Sequence, residues 1–367
     1  MQSQTDQEKI TQLFQAVGED PISQYFRTNL NDNKQPTLEQ YSQFISQITI
    51  EPENPLQTKS KITILNVSHN ESHSIEEQIE REIHSCSFEQ RNGNMRVICE
   101  PEKVKVVLEQ INSELKVQVE EFRVYLIKNE ELEDLSFVNS MNVQKLVVNN
   151  CQNVKFERAA NIQILSVNDC KLMNIEGIQN WKSVNEINFD RNQLENAQEL
   201  QTLNLSYLSL HGNNISQLDP IKGLNNLTTL YLSANKIQNL EPLRNLNLIE
   251  LYLHENYIQN LEPLSGLVNL QVLALYTNEI QNIESLHGLI NLTTLYLCSN
   301  QIENIETLKG MERLTFIFIS QNQIKRVEPL RGLVGLKFLQ IGSNLIHDFS
   351  PIKSHPNFNN YSIWGQK

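Results

Sequence analysis

Apolar residues between positions 205 and 346 recur with one period and in one pattern. The units follow the pattern Leu-x-x-Leu-x-Leu-x-x-Asn-x-Ile, as in Leu248, Leu251, Leu253, Asn256 and Ile258. In the last two units Ile takes the place of Leu at positions 317, 319 and 341. The alternation of apolar and variable positions in the first half of the unit predicts a short β-strand with one buried face. The asparagines of the seven regular units follow one another at steps of 22 residues, with one step of 21, and are Asn213, Asn235, Asn256, Asn278, Asn300, Asn322 and Asn344.

The repeated asparagine predicts a buried hydrogen-bonding role. Behind each strand the chain has to turn inside the coil, where backbone groups lose water and need new partners. An asparagine side chain carries both a carbonyl oxygen and an amide nitrogen, so it can bridge the backbones of adjacent units. We therefore predict a ladder of asparagines that joins neighbouring turns.

The second half of each unit predicts a return segment on the opposite, convex side. Pro242, Pro263 and Pro329 suit the first turn of a short helix, where a backbone N–H is not required. An acidic residue also stands at the start of each return, either as a carboxylate favoured by the helix N-terminus or as an acidic surface for a basic partner. The first interpretation is favoured, although residues 245–308 contain no Lys or Arg. The acidic positions are Asp219, Glu241, Glu262, Glu284, Glu306 and Glu328.

One 22-residue unit buries too few side chains to fold alone, so the units must stack. The predicted fold is an α/β solenoid, a right-handed superhelix with a parallel concave β-sheet. The repeat domain covers residues 118–367, with degenerate repeats at 118–182, regular repeats at 183–350 and a terminal half repeat at 351–367.

Residues 1–117 lack the repeat and are predicted to form a small helical or α/β region, either a cap or an independent domain. Helices are predicted to begin at Thr5, Pro36, Ser74 and Pro101. Strands are predicted at Ile62–Val67 and Met95–Cys99.

Composition and charge exclude several classes of function. The net charge of −13 and the pI near 5.2 argue against nucleic acid or an anionic membrane as the main partner. The chain shows no signal-like start, no apolar run long enough to span a membrane and no paired cysteine spacing. These features predict a cytoplasmic location, with the nucleus as an alternative. No cofactor, metal or catalytic motif is recognisable, so we predict a protein that is not an enzyme.

The variable positions between the buried leucines are predicted to face the concave side and to bind a partner. They are rich in aromatic residues and poor in charges, as is typical of an interface core. The alternative is that the rings only stack along the sheet, because aromatic residues favour strands. The predicted partner-binding residues are Glu186, Asp190, Tyr207, Tyr231, Glu250, Tyr252, Tyr276, Tyr296, Phe316, Phe318 and Phe338.

The pattern LxxLxLxxNxIxxLxPLxxL over residues 118–367 resembles the 22-residue leucine-rich repeats shared by regulatory subunit 7 of protein phosphatase 1 and the bacterial internalins. The resemblance implies a non-catalytic module that binds a protein on its concave face. In one branch that protein is the catalytic subunit of phosphatase 1, and in the other it is a host adhesion receptor. The alternative is a self-associating structural or scaffold protein. Less favoured are an adhesion-type protein and an enzyme that uses the N-terminal region.

Overall fold

The structure of the chain is a computed structural model, which describes residues 60–64, 87–91, 94–99, 122–127, 143–151, 154–156, 162–363 and 365. The chain divides after Thr58 into two units, and every described residue belongs to the second, Lys59–Lys367. The helices predicted to begin at Thr5, Pro36, Ser74 and Pro101 lie outside the described residues.

The described strands form one sheet of fourteen strands. From β4 to β14 each strand pairs in parallel with the next strand of the chain, which confirms the predicted repeat solenoid with a parallel sheet. The strands are β1 Ser60–Ile64, β2 Ser87–Arg91, β3 Asn94–Cys99, β4 Phe122–Ile127, β5 Val143–Asn149, β6 Ile164–Asn168, β7 Glu186–Asn188, β8 Tyr207–Ser209, β9 Thr229–Tyr231, β10 Glu250–Tyr252, β11 Val272–Ala274, β12 Thr294–Tyr296, β13 Phe316–Phe318 and β14 Phe338–Gln340.

The sheet changes direction at its N-terminal end. Strand β1 lies between β4 and β3 and is antiparallel to both, and β2 pairs with β3 as the outer strand. The predicted strands at Ile62–Val67 and Met95–Cys99 correspond to β1 and β3, whereas β2 was not predicted. Strands from both sides of residue 117 therefore share one sheet, and the domain boundary proposed there stays a prediction.

Short 3-10 helices return the chain from one strand to the next. Asp219, Glu241, Glu262, Glu284 and Glu328 each occupy the first position of such a helix, as the structural interpretation of the acidic residues predicts. The predicted prolines also lie in first turns. The 3-10 helices are Ile178–Asn180, Gln198–Thr202, Asp219–Ile221, Glu241–Leu243, Glu262–Leu264, Glu284–Leu286, Glu306–Leu308, Glu328–Gly332, Ser350–Ile352 and Phe358–Asn360.

The asparagine ladder has the geometry that its chemistry predicts. The side-chain oxygen of Asn278 accepts the backbone N–H of Ile258 at 3.0 Å. Its amide donates to the carbonyl oxygens of Leu253 and Leu275 at 3.0 and 3.1 Å. In a degenerate repeat Cys170 takes this place, and its thiol donates to the carbonyl oxygen of Asn168 at 3.1 Å. The ladder thus joins adjacent turns through buried backbone groups.

The residue before each ladder position adopts a left-handed conformation. Ala234, Glu255 and Thr277 have φ of 52°, 57° and 55°, and Gly212 has φ of 66° at the equivalent place. The backbone N–H of Thr277 donates to the carbonyl oxygen of Cys298 at 2.9 Å. The left-handed residue thus forms a backbone hydrogen bond to the adjacent turn. Left-handed φ values cost L-residues free energy, and a β-branched residue bears the largest cost.

We expect Thr277→Gly to raise the free energy of unfolding. Relief of the left-handed conformation contributes about 1 to 2 kcal/mol, and the greater chain entropy of glycine offsets about 0.5 to 1 kcal/mol. Thr277 is exposed, so the change removes little packing. Urea denaturation provides the measurement. The matched variant Gly212→Ala should be destabilised, because the φ of 66° at Gly212 strains any residue with a Cβ. The added Cβ would also lie 3.3 Å from Cγ of Arg191. A lower stability for Thr277→Gly would contradict the strain argument.

In the terminal half repeat, the last described pairing of the sheet is a single bridge. Ser362 makes a single parallel bridge to Gln340, donating its N–H to the carbonyl oxygen of Leu339 at 2.8 Å. The adjoining turn is held by buried His355, whose Nδ1 lies 2.9 Å from the hydroxyl of Tyr361. This segment pairs with β14 through one bridge and is preceded by the 3-10 helix Phe358–Asn360.

Candidate functional site

The sheet carries an apolar cluster on each face. Leu251 and its equivalents point into the main core, whereas the residues on either side of each leucine point to the other face. On that concave face a second, separate cluster is formed by Tyr231, Tyr252, Val272, Ala274, Tyr296 and Phe318. The solenoid therefore has apolar packing outside its own core.

The aromatic residues of the concave face form two groups rather than one continuous column. In the first group Tyr231 stacks on Tyr252, with ring centroids 4.2 Å apart, and Tyr207 lies 5.6 Å from Tyr231. In the second group Tyr296 stacks on Phe318 at 4.6 Å, and Phe338 lies 5.3 Å from Phe318. The groups are separated at β11, where Ala274 pairs with Tyr252 on one side and with Tyr296 on the other.

The exposed aromatic face expected from the sequence is only partly present. Tyr231, Tyr252, Tyr296 and Phe318 are buried, with exposed fractions of 3% to 8%. Stacking against the ring of an adjacent repeat covers much of each of these side chains. The remaining predicted aromatic residues are partly exposed, and these are Tyr207, Tyr276, Phe316 and Phe338.

The three predicted acidic residues have different surroundings. Asp190 is 4% exposed, and its carboxylate accepts hydrogen bonds from the hydroxyl of Ser209 at 2.5 Å and the backbone N–H of His211 at 3.0 Å. Burial raises the pKa of Asp190 to about 6. Glu186 and Glu250 are partly exposed, and the hydroxyl of Tyr252 donates to Glu250 at 3.2 Å. Asp190 thus has a structural role inside the chain, and its contact with a partner stays a prediction.

Two histidines that were not among the predicted residues lie on this face, each two residues after its strand. His254 stacks on Tyr276 with ring centroids 4.1 Å apart, and the ring of His211 lies 6.3 Å from His254. Nδ1 of His211 lies 2.8 Å from the hydroxyl of Ser233, whereas the buried Nδ1 of His254 has no hydrogen-bond partner in the structure. Burial, with a smaller contribution from His211, lowers the pKa of His254 to about 3. The sequence signal was present, since both histidines occupy concave positions.

Cys298, like His254 and Tyr276, lies two residues after the strand of its repeat. Its sulfur accepts a hydrogen bond from the hydroxyl of Ser320 at 3.2 Å, and burial raises the pKa of the thiol to about 11. Among the described residues, no three or more His, Cys, Asp or Glu side chains come together as a metal site. Across the same parts of the chain, every helix is too short or too polar to cross a membrane. The described face offers packing and hydrogen bonding rather than an activated nucleophile.

Comparison with protein families locates the repeat in two segments. Residues 203–245 match a model described as leucine-rich repeats in two copies, and residues 290–346 match a second leucine-rich-repeat model. Both segments lie in the regular part of the sheet. The chain therefore contains leucine-rich repeats, as the spacing of leucine and asparagine predicts. Among curated proteins no match was found.

Solved structures of the same fold come from bacteria and plants. An internalin, InlF, of Listeria monocytogenes is 21% identical, with a TM-score of 0.53, and the match covers 71% of this chain and 89% of that chain. A leucine-rich-repeat protein of Leptospira interrogans is 20% identical, with a TM-score of 0.51 and coverages of 65% and 76%. The plant peptide hormone receptor RGFR1, solved in complex with RGF2, is 23% identical, with a TM-score of 0.50 and coverages of 60% and 39%. These likenesses establish a leucine-rich-repeat solenoid.

Proposed function

We propose that the repeat region is a non-catalytic module that binds a protein partner on its concave face. The observation that carries this proposal is the second apolar cluster, which lies across the sheet from the core. The partly exposed rings packed against it, Tyr207, Tyr276, Phe316 and Phe338, form its accessible part, and exposed apolar patches are typical of interaction surfaces.

The core does not require this cluster. Every regular repeat already buries its leucine and isoleucine positions on the other side of the sheet, where most of them are fully inaccessible to solvent. Aromatic rings on the concave face offer a large contact area to a partner. Their immobilisation on binding costs little conformational entropy, because each has only two rotatable side-chain bonds. The four partly exposed rings, Tyr207, Tyr276, Phe316 and Phe338, are the side chains that a partner would contact first.

The resemblance to regulatory subunit 7 supplies a more specific proposal, in which the partner is the catalytic subunit of protein phosphatase 1. A plant receptor of the same fold, solved in complex with RGF2, supports recognition of a polypeptide by such a solenoid. We also propose a cytoplasmic or nuclear location, which the scattered spacing of the cysteines favours.

We expect the double variant Tyr276→Ala/Phe338→Ala to lose partners that the unaltered chain captures. Full-length chains on beads are exposed to lysate, and the bound proteins are compared by mass spectrometry. Loss of about tenfold or more in the amount captured corresponds to roughly 1.4 kcal/mol and is typical of central interface aromatics. Recovery of the phosphatase 1 catalytic subunit, followed by binding of the purified subunit, would identify that partner.

The matched control is Tyr257→Ala. Tyr257 is an exposed tyrosine in the loop after β10, outside the concave face. Circular dichroism of all variants establishes that the fold is retained. Equal capture by the double variant, the control and the unaltered chain would refute binding at the concave face.

A further inference from the structure

From β7 to β14 the concave face combines aromatic residues with negative charge. Its three positions per repeat, from Glu186 to Gly342, include no Lys or Arg. Glu186 at one end and Glu255 beside His254 are partly exposed. Glu255 lies close enough to His211 for its charge to act on that imidazole. Arg191 occupies the position equivalent to Glu255 and also acts on His211, but its guanidinium is paired with the carboxylate of Asp169 at 2.8 Å. The net charge that a partner meets on this part of the face is therefore negative.

The histidines do not offset this charge near neutral pH. Burial lowers the pKa of His211 and of His254 below the usual range, so both rings are neutral at about pH 7. The neighbouring surface has the same character, because residues 245–308 contain seven glutamates and no Lys or Arg. Opposite charge on the partner would be favoured here.

The backbone of the sheet adds a second constraint. Each strand from β8 to β13 is paired on both sides, so the concave face presents side chains rather than free backbone groups. An extended segment lying on aromatic rings would bury N–H and C=O groups without partners, at a cost for each group. An α-helix satisfies these groups internally and presents only side chains. The face thus favours a helix over an extended strand.

From these observations, and resting on the proposed function, we propose that the partner docks an amphipathic α-helix with an apolar stripe flanked by Lys and Arg. The helix lies across strands β8 to β14, with its apolar stripe against Tyr207, Tyr276, Phe316 and Phe338. Seven strands about 4.8 Å apart span roughly 29 Å, which matches about 19 helical residues. A flanking basic residue pairs with Glu255, and a basic residue at the end of the helix pairs with Glu186 on β7, one strand beyond β8.

The test uses fluorescently labelled synthetic peptides of about 20 residues and the full-length chain. The first peptide places Leu at helical spacing and Lys on the flanks. The second replaces Lys with Glu, the third scrambles the Leu positions at the same composition, and the fourth carries two central prolines that break the helix. Fluorescence anisotropy at ionic strengths of ~0.02 M and ~0.15 M gives the dissociation constants.

The expected result is binding of the first peptide at least about tenfold tighter than each of the other three, and weaker binding at the higher ionic strength. The double variant Glu186→Gln/Glu255→Gln should weaken it about threefold or more, whereas the convex pair Glu284→Gln/Glu306→Gln should not. Equal binding of the Lys and Glu peptides, or of the scrambled peptide, would overturn the proposal.

The experiments distinguish a failure of the basic-helix proposal from a failure of the proposed function. If Tyr276→Ala/Phe338→Ala abolishes capture of a protein partner but none of the peptides binds, the concave face is an interface and the basic helix is wrong. If that variant leaves both capture and peptide binding unchanged, the proposed function itself is wrong.

Discussion

Replacement of Asn278 by alanine should lower the free energy of unfolding by roughly 2 to 3 kcal/mol. The carbonyl oxygens of Leu253 and Leu275 keep a second donor each, from Asn256 and Asn300. The N–H of Ile258 loses the side-chain oxygen that it contacts in the native chain and is left inside the coil. One orphaned buried donor accounts for most of the expected loss, and the cavity left by the amide adds to it.

Urea denaturation of full-length variants measures this effect. The matched control is Asn269→Ala, because Asn269 is exposed and bonds only to the side chain of Asn247 among the described contacts. The control should change stability by less than about 0.5 kcal/mol. The loss in free energy of unfolding for Asn278→Cys should lie between those of Asn278→Ala and Asn269→Ala, since Cys170 occupies a ladder position in a degenerate repeat. Amide exchange at Ile258 should accelerate in Asn278→Ala, and unchanged exchange would contradict the ladder assignment.

The second large expected effect is a loss of folding stability in acid. The pKa of His254 is about 3 in the folded chain, below the value of about 6.5 expected when unfolded. The unfolded state therefore binds more protons between these values, and the stability falls as the pH drops below about 6.5. Between about pH 7 and pH 5 this single group should remove about 2 kcal/mol. Asp190 acts in the opposite direction, because its raised pKa favours the folded state in acid.

His254→Phe isolates the contribution of this imidazole. Phenylalanine retains the ring that stacks on Tyr276 and removes the buried Nδ1 without a hydrogen-bond partner. We expect the variant to be more stable near pH 7 and to lose less stability than the unaltered chain between about pH 7 and pH 5. Urea titrations at both pH values give the difference. Parallel pH profiles for the two proteins would show that His254 does not carry the effect.

The solenoid and its ladder were predictable because they follow from local chemistry repeated many times. Leucine spacing sets which side of each strand is buried, and asparagine is suited to a turn where backbone groups need both a donor and an acceptor. Cysteine at position 170 was also predictable as a weak substitute in that role. The acidic start of each return segment followed from the same reasoning.

Other features depend on contacts between repeats and left no clear local signal. Ala234 and Thr277 adopt left-handed backbone conformations, although neither residue type favours them. The burial of Asp190 depends on Ser209, which lies in the next repeat. The break in the aromatic column at Ala274 was visible in the sequence, but its consequence required the positions of the rings. The predicted binding residues remain to be tested.

The reversal of direction at β1 has an evolutionary consequence. A parallel repeat joins only a neighbour of matching direction, and the hairpin of β2 and β3 offers no such neighbour at the N-terminal end. Duplication of a gene segment can therefore lengthen the parallel part of the sheet only on the C-terminal side of β4, where each new unit meets a neighbour of its own direction.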